Sequence, residues 1–168
     1  MKNTERLLEY FESKPEGKDL IFKFFITFAR IEFSLKNSKE LLIGNNKGGQ
    51  PNWDAFINRL NNFNPSRTGN LKSSVDYILA HPPQKQVVIN NQIEFRDARV
   101  THSSDLVKLN IYLRRIRNNL FHGGKFNGKY IPDVSRNSIL LTSALIIMNE
   151  WIDLDFEIKK LFCSEILE

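Results

Sequence analysis

KDLIFKFFITFARIEFSLKNSKELLI, residues 18–43, decides how this chain is read. Phe24, Phe28, Ile31 and Leu35 fall on one stripe at helical spacing. Phe22, Ile26, Ala29 and Phe33 lie on the opposite side. A helix apolar nearly all round is buried on every side. The expectation is therefore a central helix of the domain, or one that also faces a second chain. Glu32 interrupts it, between Phe25 and Phe28 on the helical wheel. A carboxylate in that position needs a partner, because burying it alone is costly.

The surrounding chain reads as further helices. Leu7, Leu8 and Phe11 suggest a short amphipathic helix over residues 4–12. Ser13 and Glu16 then stand at capping-box spacing before the long helix. GNNKGGQPN, residues 44–52, is a glycine- and asparagine-rich loop. Trp53, Phe56, Ile57, Leu60 and Phe63 mark a helix opened by Pro51. A short helix follows NPSRTGN, starts near Ser73 and stops at His81-Pro82-Pro83. In QVVINNQIEF, residues 86–95, β-branched runs flank Asn90-Asn91, the pattern of a hairpin. Ser103 or Ser104 caps a helix whose core stripe is Leu106, Leu109, Leu113, Ile116 and Leu120, ended by Gly123 and Gly124. One last helix spans about 137–162. The expected fold class is all-α, a four- to five-helix up-down bundle with a small β-hairpin inserted around 86–95, in one domain covering 1–168.

Bulk properties narrow the function. The net charge of +5 makes nucleic acid a reasonable partner, beside the plain alternative of a solvated basic surface. A single cysteine, Cys163, excludes an intrachain disulfide and fits a reducing compartment. The apolar runs IFKFFITFA and ILLTSALIIM fall well short of the roughly 20 residues of a membrane span. A cytoplasmic protein without a membrane partner is expected. The three histidines are scattered and no acidic or histidine cluster has ligand spacing, so no metal and no other cofactor is expected.

The segment RNNLFHGGK, residues 117–125, closes the fourth major helix. At about 100° per residue, Arg117 lies on the shoulder of the apolar stripe and His122 about 140° further round. Arg114 and Asn118 fall between them. The plain readings are a histidine interacting with the helix dipole and an arginine in a surface ion pair. Arg114 and Arg115 suit a basic face that attracts phosphate, and Lys125 reads as a solvated loop lysine before a contact to a nucleic-acid backbone. Trp53, Phe56 and Phe63 are read as core before base-stacking residues.

Arg117-Asn118 followed by His122 after four residues, an R-N-x-x-x-H pattern on a late helix of a small α-bundle, resembles the HEPN superfamily. The resemblance covers most of the domain and implies a metal-independent endoribonuclease, in a toxin or antiviral defence system, with a regulatory protein or antitoxin as a further partner. Arg117, Asn118 and His122 would be its catalytic residues, with Arg114, Arg115 and Lys125 binding RNA. Histidine titrates near neutrality and can move the proton of the 2′-OH or of the leaving oxygen. Arginine forks onto two phosphate oxygens and stabilises charge developing at phosphorus. The resemblance also implies a homodimer with the two motifs facing one cleft, which would bridge the angular gap between Arg117 and His122. Glu32 is expected to pair with Arg114 or Arg117 and support the site, or else to pair with an unrelated lysine or stand at an edge in water. Gly124 stands where relatives paired with a nucleotidyltransferase antitoxin often carry a tyrosine, so that modification is not implied. The alternative is a non-catalytic HEPN-like module that binds RNA or protein. A helical DNA-binding regulator is a third, weaker reading, since no recognition-helix pattern supports it.

Overall fold

The computed structural model describes residues 4–6, 9, 12, 17–46, 48–67, 69–121 and 134–164. His122, Gly123, Gly124 and Lys125 lie outside the described residues, as do Leu7, Leu8, Phe11, Ser13 and Glu16. The elements in chain order are α1 (Gly17–Asn37), β1 (Leu42–Asn45), β2 (Gly48–Pro51), α2 (Trp53–Arg59), a 3-10 turn (Pro65–Arg67), α3 (Gly69–Ala80), β3 (Lys85–Ile89), β4 (Gln92–Arg96), α4 (Asp105–Phe121), α5 (Val134–Leu154) and α6 (Phe156–Cys163).

This architecture corrects the expected all-α class. Helix predominates among the described residues, but two separate antiparallel two-stranded sheets make the fold a mixed one. The hairpin β3–β4 pairs Lys85 with Arg96 through Ile89 with Gln92. Its turn holds Asn90 and Asn91 at φ of 49° and 59°, two left-handed residues in succession. That is the backbone a tight two-residue hairpin connection requires, and asparagine tolerates it better than most side chains. The hairpin β1–β2 occupies what reads as a loop, with Gly44 opposite Gly49 and Asn45 opposite Gly48. Gly44 has φ of 148°, and a Cβ there would meet the Gly48 carbonyl oxygen at 2.1 Å. Only glycine fits, so the residue that signals a loop is here the one that lets two strands approach.

The last helix is two helices. Asp155 interrupts it in an extended conformation, and its side chain accepts a hydrogen bond from the Ile158 amide at 3.1 Å. That is an N-cap, and it starts α6 as a new element. The third helix begins earlier than expected, at Gly69, and Ser73 lies inside it with its hydroxyl donating to the Gly69 carbonyl. Asn52 caps α2 by accepting from the Ala55 amide at 3.0 Å. Ser104 caps α4 by accepting from the Val107 amide.

One core joins these pieces. Phe24, Phe28, Ile31 and Leu35 of α1 are buried, as are Leu109, Leu113 and Ile116 of α4 and Leu141, Ala144, Met148 and Trp151 of α5. Trp53 packs on Phe28 with ring centroids 5.2 Å apart, and Phe56 and Phe63 meet Trp151 edge-on at 6.4 Å. These aromatics are core. The second side of α1 is not covered: Phe22 is 63% exposed and Ile26 48%, with Phe25 and Phe33 also open. Burial on all sides, expected of this helix, does not hold within one chain. Arg30 ties α1 to the end of α6, donating from Nε to the Phe162 carbonyl at 2.9 Å and from Nη2 to that of Leu161. Those carbonyls belong to the last turn of α6, where backbone donors run out, so a guanidinium is well suited to them; the Leu161 carbonyl also accepts from the Ser164 hydroxyl at 3.0 Å.

Candidate functional site

The site is built on the C-terminal half of α4. Ile116 is buried, and it points the helix so that Arg117 stands on the flank facing α1. Arg117 Nη2 lies 3.4 Å from Glu32 Oε2, and Nη1 donates to Asn118 Oδ1 at 2.9 Å. The guanidinium carbon sits 5.7 Å from the centre of the Phe28 ring. Three contacts of different chemistry thus hold one side chain: a carboxylate, an amide and an aromatic face. The expected partnership of Glu32 is observed, and the partner is Arg117.

This ion pair sits at a boundary. On the wheel of α1, Glu32 falls between the buried Phe28 and the exposed Phe25. Beyond Phe25 the exposed apolar arc continues through Ala29, Phe22, Phe33 and Ile26. The two side chains of the pair are 30% and 26% exposed, so water or a ligand reaches them from the side where that arc begins.

The other expected residues divide. Arg114 and Asn118 are exposed on the solvent face of α4. Arg115 points the other way: its Nη1 donates to the Ala98 carbonyl, and its guanidinium lies 5.4 Å from the Tyr112 ring centre. The Tyr112 hydroxyl in turn accepts from the Val100 amide at 2.9 Å. Arg115 therefore fastens the segment after the hairpin to α4, a structural task. His122 and Lys125 lie outside the described residues, so their relation to Arg117 is not on view. Among the described residues no group of three or more His, Cys, Asp or Glu is placed to hold a metal ion. Among them, too, no helix is long and apolar enough to cross a membrane.

Two residues of this region escape the sequence reading. Asn119 donates from Nδ2 to the Gln84 carbonyl at 2.9 Å, pinning the segment before β3. Asn137 is buried in the first turns of α5. Its signal was available: it stands three, four and seven residues before Leu140, Leu141 and Ala144, on the stripe that fills the core. Comparisons with protein-family models, with curated proteins and with solved structures find no match to this chain.

Proposed function

We propose that this chain is a metal-independent endoribonuclease of the HEPN type, acting in the cytoplasm as a homodimer within a toxin or antiviral defence system. The observation that carries the reading is the position of Arg117, held by Glu32, Asn118 and Phe28 on the rim of an exposed apolar helix face. A second copy seated on that face would lie against the ion pair. It would close a cleft containing two Arg117 and two His122 side chains.

The chemistry asks little more. In such a cleft His122 takes the proton of the attacking 2′-OH or supplies one to the leaving 5′ oxygen. Arg117 forks onto the non-bridging oxygens of the phosphate, where negative charge grows. The contact with Glu32 does not prevent this. It is a single contact at 3.4 Å between partly exposed groups, and such pairs are worth about 0–1 kcal/mol. A phosphate offering two oxygens competes well at that cost. Arg114 and Asn118, exposed on the same face, supply further contacts to the backbone.

The same ion pair favours a second reading. A guanidinium already balanced by a carboxylate suits a non-catalytic module that binds RNA or protein, with Arg117 holding α1 to α4. One assay separates the two. Purified protein is incubated with RNA, and with DNA of the same sequence, in EDTA. The ribonuclease predicts RNA cleavage that survives chelation, spares DNA, and falls about 100-fold or more in Arg117→Ala and His122→Ala. RNA binding without cleavage overturns it in favour of the module.

A further inference from the structure

Behind Arg117, on the opposite flank of α4, lies a small cavity of about 40 Å³. It opens between the end of α4, the Pro83-Gln84 segment, strand β4 and the first turns of α5. Its walls are mostly apolar, with Phe95, Ile116, Leu120 and Leu141 among them; Gln84, Asn119 and Asn137 add amides, and Arg136, which donates to the Pro82 carbonyl, adds a guanidinium. Asn119 Nδ2 is committed to the Gln84 carbonyl. Asn137 is different: it is 4% exposed, and among the described residues its Nδ2 finds no acceptor.

A buried amide donor without an acceptor is costly, and nearly all such groups in folded proteins are satisfied. Here the unsatisfied donor borders a cavity beside an apolar wall. A ligand that fits offers a hydrogen-bond acceptor to Asn137 and an apolar edge to the walls. The volume sets its size. A water needs about 10–15 Å³ of such space, so the cavity takes roughly three waters, or one edge of a ring with its exocyclic atom. A whole heteroaromatic ring does not enter.

We propose that this cavity receives the keto edge of a nucleobase, uracil or guanine, with the exocyclic oxygen accepting from Asn137 Nδ2. The proposal rests on the ribonuclease reading and gives it a base preference. The path between the two places is on the solvent side of α4. From Arg117 the polar side of α4 carries the exposed Arg114 and Asn118 and leads to the partly exposed Asn119, which lines the cavity. Half a turn around a helix 10–12 Å across is roughly 17 Å, the reach of a few nucleotides. A strand gripped by its phosphate at Arg117 can therefore present a neighbouring base at Asn137. Adenine has no exocyclic oxygen, and its amino group would meet the Asn137 donor with another donor.

The test reads the Asn137 side-chain amide directly. The protein is titrated with uridine and, separately, with adenosine, and its ¹H–¹⁵N resonances are followed. Uridine is expected to shift the Asn137 Nδ2 signals, and adenosine to leave them in place. In Asn137→Leu, close in shape and without the donor, oligouridine loses an advantage over oligoadenosine of about tenfold in affinity. Because the deleted amide donor has no partner among the described residues, this variant melts no lower than wild type. Asn137 signals unmoved by uridine, or moved equally by adenosine, overturn the proposal and leave the cavity to water. The two readings fail separately. Cleavage without a uridine response sinks the base pocket alone, and a uridine response without cleavage sinks the ribonuclease alone.

Discussion

Glu32 of α1 and Arg117 of α4, 85 residues apart in the chain, meet at 3.4 Å over the Phe28 ring. The contact positions the guanidinium without burying it. Glu32→Gln is therefore expected to leave stability within about 1 kcal/mol of wild type, the worth of a partly exposed pair. On the proposed ribonuclease reading, its effect on the reaction is different. The loosened guanidinium keeps its charge and binds RNA at least as well, but it is less often aligned on the reacting phosphate. Turnover falls about three- to tenfold while KM does not rise. A rise in KM with unchanged turnover would contradict this role. Arg117→Lys is expected to resemble Arg117→Ala in turnover, because an ammonium cannot fork onto two oxygens.

The uncovered face of α1 makes a claim about assembly. Phe22, Phe25, Ile26 and Phe33 are open in one chain, and a contiguous apolar face of this kind marks an interaction surface. The proposed dimer places a second copy there. The wild type should then sediment at twice the 19.6 kDa of the chain. Ile26→Glu together with Phe33→Glu should raise the dimer dissociation constant about 100-fold or more. The far-ultraviolet circular dichroism should stay unchanged, since neither side chain belongs to the core. RNA cleavage should be lost with the dimer. A monomeric wild type that cleaves RNA would remove the second chain from the site.

The hairpin β3–β4 tests a backbone argument. Asn90 and Asn91 both hold left-handed φ values, and glycine accepts that region without the steric cost carried by a Cβ. Asn91→Gly should stabilise the hairpin by a few tenths to about 1 kcal/mol, and Asn91→Val should destabilise it by about 1–2 kcal/mol. Phe95 of β4 lines the cavity beside Asn137, so the valine variant should also weaken the uridine response there. Hydrogen exchange of the β3 and β4 amides reads the first effect, and the Asn137 resonances read the second.

What was legible in the sequence follows from how each residue signals. The buried stripes of α1, α4 and α5 were readable because leucine, isoleucine and phenylalanine recur at helical spacing, and a single helix buries one face. The hairpin at Asn90-Asn91 was readable because strand preference and turn preference agree there. The hairpin at Gly44 was not. Its strands are Leu-Ile-Gly-Asn and Gly-Gly-Gln-Pro, nearly all exposed, with no alternation to mark a buried side. The break at Asp155 was hidden for another reason: apolar residues continue at helical spacing across it, and only the capping bond to Ile158 divides α5 from α6. Part of the site was legible because a carboxylate inside an apolar helix demands a cation, and Arg117 answers Glu32. Arg115 misled, since its charge suggested phosphate and its place three residues after Tyr112 turns it toward the Ala98 carbonyl instead. The spacing of Asn137 marks it as buried, but only the cavity beside it gives its amide a meaning.

The junction of α5 and α6 sets the response to acid. Arg59 of α2 reaches Asp155 at 3.1 Å through Nε and Glu157 at 2.8 Å through Nη2. The hydrogen bond from Arg59 is the main reason that the Glu157 carboxyl titrates below its ordinary value of 4.5. A depressed folded-state pKa stabilises the native state above the unfolded value, and that contribution disappears as pH falls through the folded one. Stability should therefore be flat from neutrality down to about pH 5 and fall below the ordinary carboxylate range near pH 4.5. Glu157→Gln should flatten that acid limb in a series of urea denaturations, and the limb that remains belongs to other carboxylates. Arg59→Ala acts harder at neutral pH, because it leaves the nearly buried Asp155 carboxylate without its cation. The expected loss is about 1–3 kcal/mol, since the Ile158 amide still holds the other Asp155 oxygen. An Arg59→Ala protein as stable as wild type at pH 7, with the acid limb intact, would show that the α5–α6 junction is held by packing alone.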